Sequence, residues 1–373
     1  MKRIIVACIA LLFLAGCATA VPGDDTPGTP DERLQVVATV FPQYDFIRQI
    51  AGDRVALTML ISPGAEPHSF DPAPMDIIAL GNADLFVYVG GHSDTWVEQV
   101  LASLDNEDLT TVALMDLVEV MCAHDHDHCD HHHGHDCRCG HDHHHGHDHG
   151  HNHNHDHHHG HDHGHNHDHH HGHDHGHDHD HDEDHHHSHD HDHDCDDHDY
   201  DEHVWTSPQN AIAIVQALAD VLAELDPGNA DYFQANAAAY VAELEALDQA
   251  FTEVVENAVR NTVIFADRFP FRYLMAAYGL DAYAAFPGCS ADTQADPRTI
   301  ADLIEKVNAE EIPVVFYIEF SNRLITNTVV EATGARALEL HSANNVSPAD
   351  FAAGVTYLEI MNRNVEALRE ALS

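Results

Sequence analysis

Residues 141–187 contain no Leu, Val, Ile, Phe or Met, and nearly every second position is a histidine. A segment with nothing apolar to bury cannot offset the entropy of ordering its backbone. Its alternation has the period of a strand, yet it offers no apolar face to pack on a core. The segment is therefore expected to be disordered without metal, and it splits any fold into two blocks, roughly 34–122 and 203–373. It also repeats: HHHGHDHGHNH at 143–153 recurs at 157–167, and HHHGHDHGHDH follows at 169–179. Of the 42 histidines, all but His68, His92, His203 and His341 lie between 124 and 198.

The tract is strongly acidic. Over 124–202, 21 Asp, two Glu and a single Arg contribute −22 of the formal net charge of −49. The remaining −27 sits on the rest of the chain, so the body is acidic as well. Nucleic acids and anionic membrane surfaces attract basic patches, so neither is an expected partner. Cations are. Flexible imidazoles give many sites, each weaker than a preformed pocket, and neighbouring Asp draws cations in. The tract thus reads as a metal-gathering antenna or as a sensor of metal excess.

At the N-terminus, Met1-Lys2-Arg3 is followed by an apolar run from Ile4 to Leu14, too short to span a bilayer. Leu14-Ala15-Gly16-Cys17 resembles a lipoprotein signal box, with Cys17 as the lipidated residue. Residues 1–17 are then a signal peptide and 18–33 a Pro/Gly/Asp/Thr-rich tether, which places the mature chain outside the cytoplasmic membrane, lipid-anchored. Cys122, Cys129, Cys137, Cys139 and Cys195 lie in or beside the tract. Among so many imidazoles they read as soft metal ligands, although export also permits disulfides.

Outside the tract the pattern is βα alternation, which implies α/β lobes with parallel sheets flanked by helices. Strands are expected at LQVVATVF, VALTMLIS, DLFVYVGG and LTTVALMDLV in the first block. The second block offers TVIFADR, DAYAAFPG, PVVFYIEF and ARALELHS. Helices fall between them, and Ser-Pro starts at 207–208 and 347–348 mark two more, the latter read as one closing helix to about 372. Residues 230–259 form a near-uninterrupted helical pattern of about 45 Å, long enough to be a strut between two lobes. The expected division is a first lobe over 34–123, the loop over 124–202, the end of the first lobe over 203–229, a linking helix over 230–260 and a second lobe over 261–373.

Three of the isolated histidines, His68, His92 and His341, follow strands, and His203 stands just before a helix. His68 lies in PGAEPHSFDP, His92 in GGHSDTW, His203 in DEHVWTSP and His341 in LELHSANN. Loops at strand ends present the chemistry of an α/β crevice, and neutral imidazole is the commonest metal ligand. His92 reads as a surface residue.

PGAEPHSFDP and DEHVWTSP resemble the two His motifs of the cluster A-I (ZnuA/TroA-like) solute-binding proteins, metal-receptor lipoproteins of zinc and manganese ABC importers. FPQYDFIRQIAGD, PMDIIALGNADLFVYVG and Tyr278-Gly279-Leu280 are similar too. The resemblance covers essentially the whole mature chain. It implies two α/β lobes joined by one long helix, in the manner of class III periplasmic binding proteins, with the metal between the lobes. It also implies that a His-rich loop at this place marks the zinc branch. On that basis His68 and His203 match the first two ligands, and His341 stands at the fourth. The third position departs from the family pattern, because it falls on Arg268, which cannot ligate a metal. Glu319, Asp267 or water is then the remaining ligand, with Glu319 preferred, and Arg268 is expected to pair with one of the two acids.

The implied function is a monomeric extracytoplasmic receptor that captures Zn²⁺ and delivers it to an ABC importer permease. His-dominated ligation favours Zn²⁺ over Mn²⁺. The chain carries no His-Glu-x-x-His signature or nucleophile elbow, so it is not expected to be an enzyme. A manganese or other divalent-metal receptor or adhesin, and an extracellular metal store, are the competing expectations.

Overall fold

A computed structural model of the chain describes residues 33–122, 200–286, 288 and 295–373. The expectations for the signal peptide, Cys17, the tether and the His-rich tract lie outside the described residues.

In the first lobe, β1 (Leu34–Ala38), β2 (Val55–Met59), β3 (Leu85–Tyr88) and β4 (Thr110–Ala113) form one sheet in the order β2-β1-β3-β4. All pairings are parallel, with Val36 opposite both Leu57 and Leu85. The connections include α1 (Phe41–Ala51), α2 (Pro74–Gly81) and α3 (Thr95–Leu101). The second lobe repeats the plan. Its strands β5 (Thr262–Phe265), β6 (Asp281–Ala284), β7 (Val314–Tyr317) and β8 (Arg336–Glu339) are also parallel, in the order β6-β5-β7-β8. The helices between them are α6 (Arg272–Tyr278), α7 (Pro297–Ala309) and α8 (Leu324–Thr333). The central strands are apolar at consecutive positions because helices cover both faces: Leu85, Phe86 and Val87 are buried in β3, and Val314, Val315 and Phe316 in β7.

Between the sheets run α4 (Pro208–Leu225) and α5 (Ala230–Glu256). Ser207 caps α4 by accepting from the Asn210 amide, with Pro208 at the first helical position. At 27 residues α5 is about 40 Å long. It buries Phe233, Tyr240, Leu244, Leu247 and Phe251, each contributing about 1.5–3 kcal/mol. It packs on α1 and α4 on one side and on α6 and the last helix, α10 (Tyr357–Leu372), on the other. One apolar cluster runs from Val36 and Phe46 of the first lobe through Leu244 to Phe265, Phe316 and Leu368 of the second. The lobes therefore share a core, which favours small sliding over wide hinge opening.

The single closing helix expected over 347–372 is instead two: α9 (Pro348–Ala353) and α10. Gly354 adopts φ 76°, a left-handed conformation that ends α9. Thr356 then starts α10 by accepting from the Glu359 amide at 3.1 Å, while the Glu359 carboxylate accepts from the Thr356 amide at 3.0 Å. β4 is also shorter than expected, passing into a 3₁₀ turn at Leu114–Leu117.

Candidate metal centre between the lobes

Parallel pairing brings the C-terminal ends of the strands to one edge of each sheet, and every candidate residue but His203 follows such an end. His68 sits in the 3₁₀ turn Pro67–Ser69 after β2. Asp267 and Arg268 follow β5, Glu319 follows β7, and His341 follows β8. His203 precedes the turn Val204–Thr206 that leads into α4. The edges face each other across a crevice, bridged by hydrogen bonds. Asn345 Nδ2 donates to the carbonyls of Ser62 and Ala65, both at 2.9 Å, and Trp205 Nε1 donates to the Ser342 carbonyl at 2.9 Å.

The first-lobe side is an imidazole pair. The rings of His68 and His203 lie 5.5 Å apart, centroid to centroid. His68 Nδ1 is 2.7 Å from Ser93 Oγ, and its Nε2 is buried with no hydrogen-bond partner among the described residues. A buried nitrogen without a partner is costly, so this atom is either held for a ligand or a strain on the fold. Burial, then the neighbouring His203 and Arg268 charges, push the His68 pKa down to about 3, so the ring is neutral and its lone pair available. His203 Nδ1 is 2.9 Å from Asp201 Oδ1, which also accepts the His203 amide at 2.8 Å. Burial would raise the Asp201 carboxyl, but the hydrogen bonds and charge of His203 hold it below its usual range. A carboxylate on Nδ1 fixes the tautomer that presents Nε2, the usual support of a metal-binding imidazole. Trp205 stands edge-on to the His203 ring at 5.5 Å.

Asp201 also joins this pair to the root of the tract. The Met121 carbonyl accepts the Asp201 amide at 2.9 Å, and Cys122 bridges Tyr200 antiparallel. From the second lobe, the Tyr273 hydroxyl donates to the Asp201 carbonyl at 2.8 Å and accepts from the Met121 amide at 3.0 Å. Met121, Cys122 and Tyr200 are thereby held beside Asp201, the carboxylate partner of His203. Cys122 is disulfide-bonded, so this cysteine is not an available thiolate.

The second-lobe side is wired differently. His341 Nδ1 accepts the Ala343 amide at 3.0 Å, which places the neutral ring's proton on Nε2. Ala343 reaches this position with φ 61°, uncommon for a residue with a side chain and typical of strain at functional sites. Glu319 Oε2 is 3.7 Å from His341 Nδ1 and accepts the Ser342 amide at 2.8 Å, and Oε1 accepts the Ser342 hydroxyl. Asp267 Oδ1 accepts the Arg268 amide at 2.8 Å, while its Oδ2 is buried without a partner among the described residues. Of the two acids expected to pair with Arg268, Asp267 lies within ion-pair reach and Glu319 does not. Arg268 Nη1 lies 3.2 Å from Glu66 Oε2 across the crevice, and its Nε 4.0 Å from Asp267 Oδ1. Glu66, two residues before His68, was not among the expected partners.

Of the candidates, His68 and His203 are brought together, and so are His341 and Glu319. Among the described residues no three His, Cys, Asp or Glu side chains are grouped to enclose an ion in this structure. His68, Arg268 and Glu319 line one cavity of about 20 Å³; His68, His203, Asp94 and Glu202 line a second of about 10 Å³. Such volumes hold a water-sized species, far below the ~300–1,000 Å³ of organic-ligand pockets. His92 is exposed. Sequence reading missed Asp201 and Ser93. Asp201 could have been found two residues before His203 in DEHVW; Ser93 carries no local signal.

Comparison with known proteins bears on this geometry. The family model of the zinc-uptake complex component A, periplasmic, matches residues 36–371. The zinc-binding lipoprotein AdcA of Streptococcus pneumoniae (strain TIGR4) is 27% identical over 372 residues, which are 99% of this chain and 61% of that relative's length. The chain thus spans about three fifths of that relative. The high-affinity zinc uptake system protein ZnuA of Bacillus subtilis is 26% identical, over 99% of this chain and 96% of the relative. The crystal structure of the metal-dependent lipoprotein YcdH from Bacillus subtilis superposes with a TM-score of 0.64 at 23% identity, covering 91% of this chain and 99% of that one, and supports the fold. No described helix is long and apolar enough to cross a membrane. With the match running from β1 to the end of α10, the chain belongs to the family of the zinc-uptake complex component A, periplasmic.

Proposed function

We propose that the chain is an extracytoplasmic receptor that captures Zn²⁺ between its lobes and delivers it to the permease of an ABC importer. The supporting observation is the His68–His203 pair, with a buried, unpartnered Nε2 on a neutral ring at the mouth of strand-end loops. In this reading His68 and His203 form the first-lobe half of the site. His341 and a carboxylate complete it from the second lobe. Glu319 is that carboxylate because it lines the same cavity as His68; Asp267, with a free Oδ2, is the rival. His341 must exchange its Ala343 bond for the ion, so the second half of the site is completed on binding. Three imidazoles and a carboxylate suit Zn²⁺ better than Mn²⁺. The receptor is monomeric, is held to the membrane by lipid on Cys17, and performs no catalytic step. The tract over 124–202 gathers ions beside His203 and passes them inward by intramolecular exchange.

Zinc titration of the full chain against a strong chelator tests this. One site tighter than the tract's is expected, and it should disappear in His68→Ala while the weak sites remain. Loss of nothing but weak sites on deleting 124–198, with uptake at limiting zinc reduced, is expected for the antenna. A chain whose entire binding vanishes with the tract is a store rather than a receptor.

A further inference from the structure

Apart from one arginine, the Asp, Glu, Lys and Arg side chains that line the crevice are all acids. Among the described residues lining its two cavities are Glu66, Asp94, Glu202 and Glu319, and Arg268 is the single permanent cation there. Its side chain is 14% exposed, and its Nη1 reaches across from the second lobe to Glu66 Oε2 at 3.2 Å. Glu66 stands on the loop that carries His68, so the ion pair ties that loop to the opposite lobe with no metal needed. A buried guanidinium survives only when paired, and Glu66 with Asp267 at 4.0 Å supplies the compensation. The same guanidinium shares a cavity wall with His68. Any divalent ion held by His68 would meet a fixed positive charge in a partly desolvated space, where repulsion is stronger than in water.

We propose that Arg268 is an affinity-setting residue, a resident cation that bridges the lobes through Glu66 and opposes the cargo electrostatically. The inference rests on the receptor reading, since it takes a divalent ion bound at His68. Its consequence is a His68 loop tied to the opposite lobe before loading, in a site tuned toward release. The opposition is of charge, so it is distinct from a packing role of the pair.

The test uses the full chain, Zn²⁺ titrated against a chelator, and unfolding midpoints with and without Zn²⁺. Arg268→Gln should tighten the strongest site by about tenfold or more, while lowering the metal-free midpoint through loss of the lobe bridge. Glu66→Gln should move affinity the other way, since it removes the carboxylate that offsets the guanidinium from the His68 loop. The double variant should return within about threefold of the unsubstituted chain. Arg268→Lys keeps the charge and should keep the affinity. Arg268→Met serves as a second neutral variant should Arg268→Gln fail to fold. Weakening in both single variants marks a purely structural pair and overturns the inference, as does tightening in Arg268→Lys equal to that in Arg268→Gln. A tight site indifferent to Arg268 removes this inference and leaves the receptor reading standing. If the unsubstituted chain has no tight site, both fall.

Discussion

The two lobes have the same strand order, yet they offer the crevice opposite kinds of side chain. On the first lobe, His68 and His203 are each anchored through Nδ1, by Ser93 and Asp201, and Nε2 of both rings lies in the buried interior. On the second, His341 accepts a backbone amide and Glu319 spends both oxygens on Ser342. One half is preorganised; the other must give up internal bonds to receive anything. The difference teaches that sequence position and ligand readiness are separate properties. His341 and His68 both follow strands of four-stranded parallel sheets, and only the partner of Nδ1 distinguishes them. In the proposed receptor, a preorganised half would capture the ion at little reorganisation cost, and a half that must rearrange would let binding report itself as a change between lobes.

The strongest way to break this contrast is to delete one imidazole from each half. Loss of outer partners alone typically costs metal sites about 10–100-fold, so His68→Ala or His203→Ala should weaken the tight zinc site by more than about a hundredfold. His341→Ala should cost closer to tenfold, because its binding is already offset by the lost Ala343 bond. Equal losses, measured by chelator competition, would erase the asymmetry.

Next in size is Asp201→Asn. The amide can still accept a hydrogen bond at Oδ1, but it no longer stabilises a positive His203 ring or enforces one tautomer. Zinc affinity should fall about tenfold. Tyr273→Phe, which frees the Asp201 carbonyl and the Met121 amide from their shared hydroxyl, should fall less, by about threefold. If Tyr273→Phe matches Asp201→Asn, the tract root governs His203 more than its carboxylate does.

The pH dependence sharpens the comparison without metal. His68 is held near a pKa of about 3, against an unfolded value of ~6.5. Between these values the unfolded chain binds a proton that the folded chain refuses. Stability is therefore fully present above ~6.5 and declines as pH falls toward 3. The ring's part-exposed rim reduces the full effect to roughly 2 kcal/mol. Metal-free His68→Gln should lose less stability than the unsubstituted chain between neutral pH and pH 4, read from chemical unfolding midpoints. The tract's imidazoles, with an ordinary side-chain value of ~6.5, should lose zinc to protons before the crevice does. Zinc retained by the tract after the tight site empties on acidification would contradict this.

Much of the fold was legible because its signals are local. Buried parallel strands announced themselves as apolar runs, and Ser207-Pro208 and Ser347-Pro348 marked helix starts that the structure uses. The break at Gly354 was legible in principle, as Gly-x-Thr-x-x-Glu holds both a stop and a capping box. It was overridden by the apolar period on either side. The site was legible only to the level of residue type. His68 and His203 could be named, but Ser93 is 25 positions from His68, and Arg268 finds Glu66 at a separation of 202. Pairings at such range are set by which strand ends the sheet order brings together, and no spacing along the chain encodes them. The same holds for the lone pairs: whether a ring nitrogen is available depends on a neighbour's backbone conformation, as at Ala343.

The smallest effect expected is also the one that separates the two rival carboxylates. Ser342→Ala removes the hydroxyl that donates to Glu319 Oε1, leaving the Ser342 amide on Oε2. A hydrogen bond of this kind contributes about 0.5–1.5 kcal/mol, more when charged. If Glu319 joins the ion, freeing Oε1 should tighten zinc binding by a few-fold, about two to five. If Asp267 is the ligand instead, its Oδ2 already has no hydrogen-bond partner among the described residues, and Ser342→Ala should leave affinity unchanged. Asp267→Asn then becomes the informative variant: it keeps the Oδ1 contact with the Arg268 amide but loses the charge. An unchanged affinity in Ser342→Ala together with a large loss in Asp267→Asn would move the second-lobe ligand from the end of β7 to the end of β5. That places it directly beside Arg268, where cation and cargo would share one carboxylate.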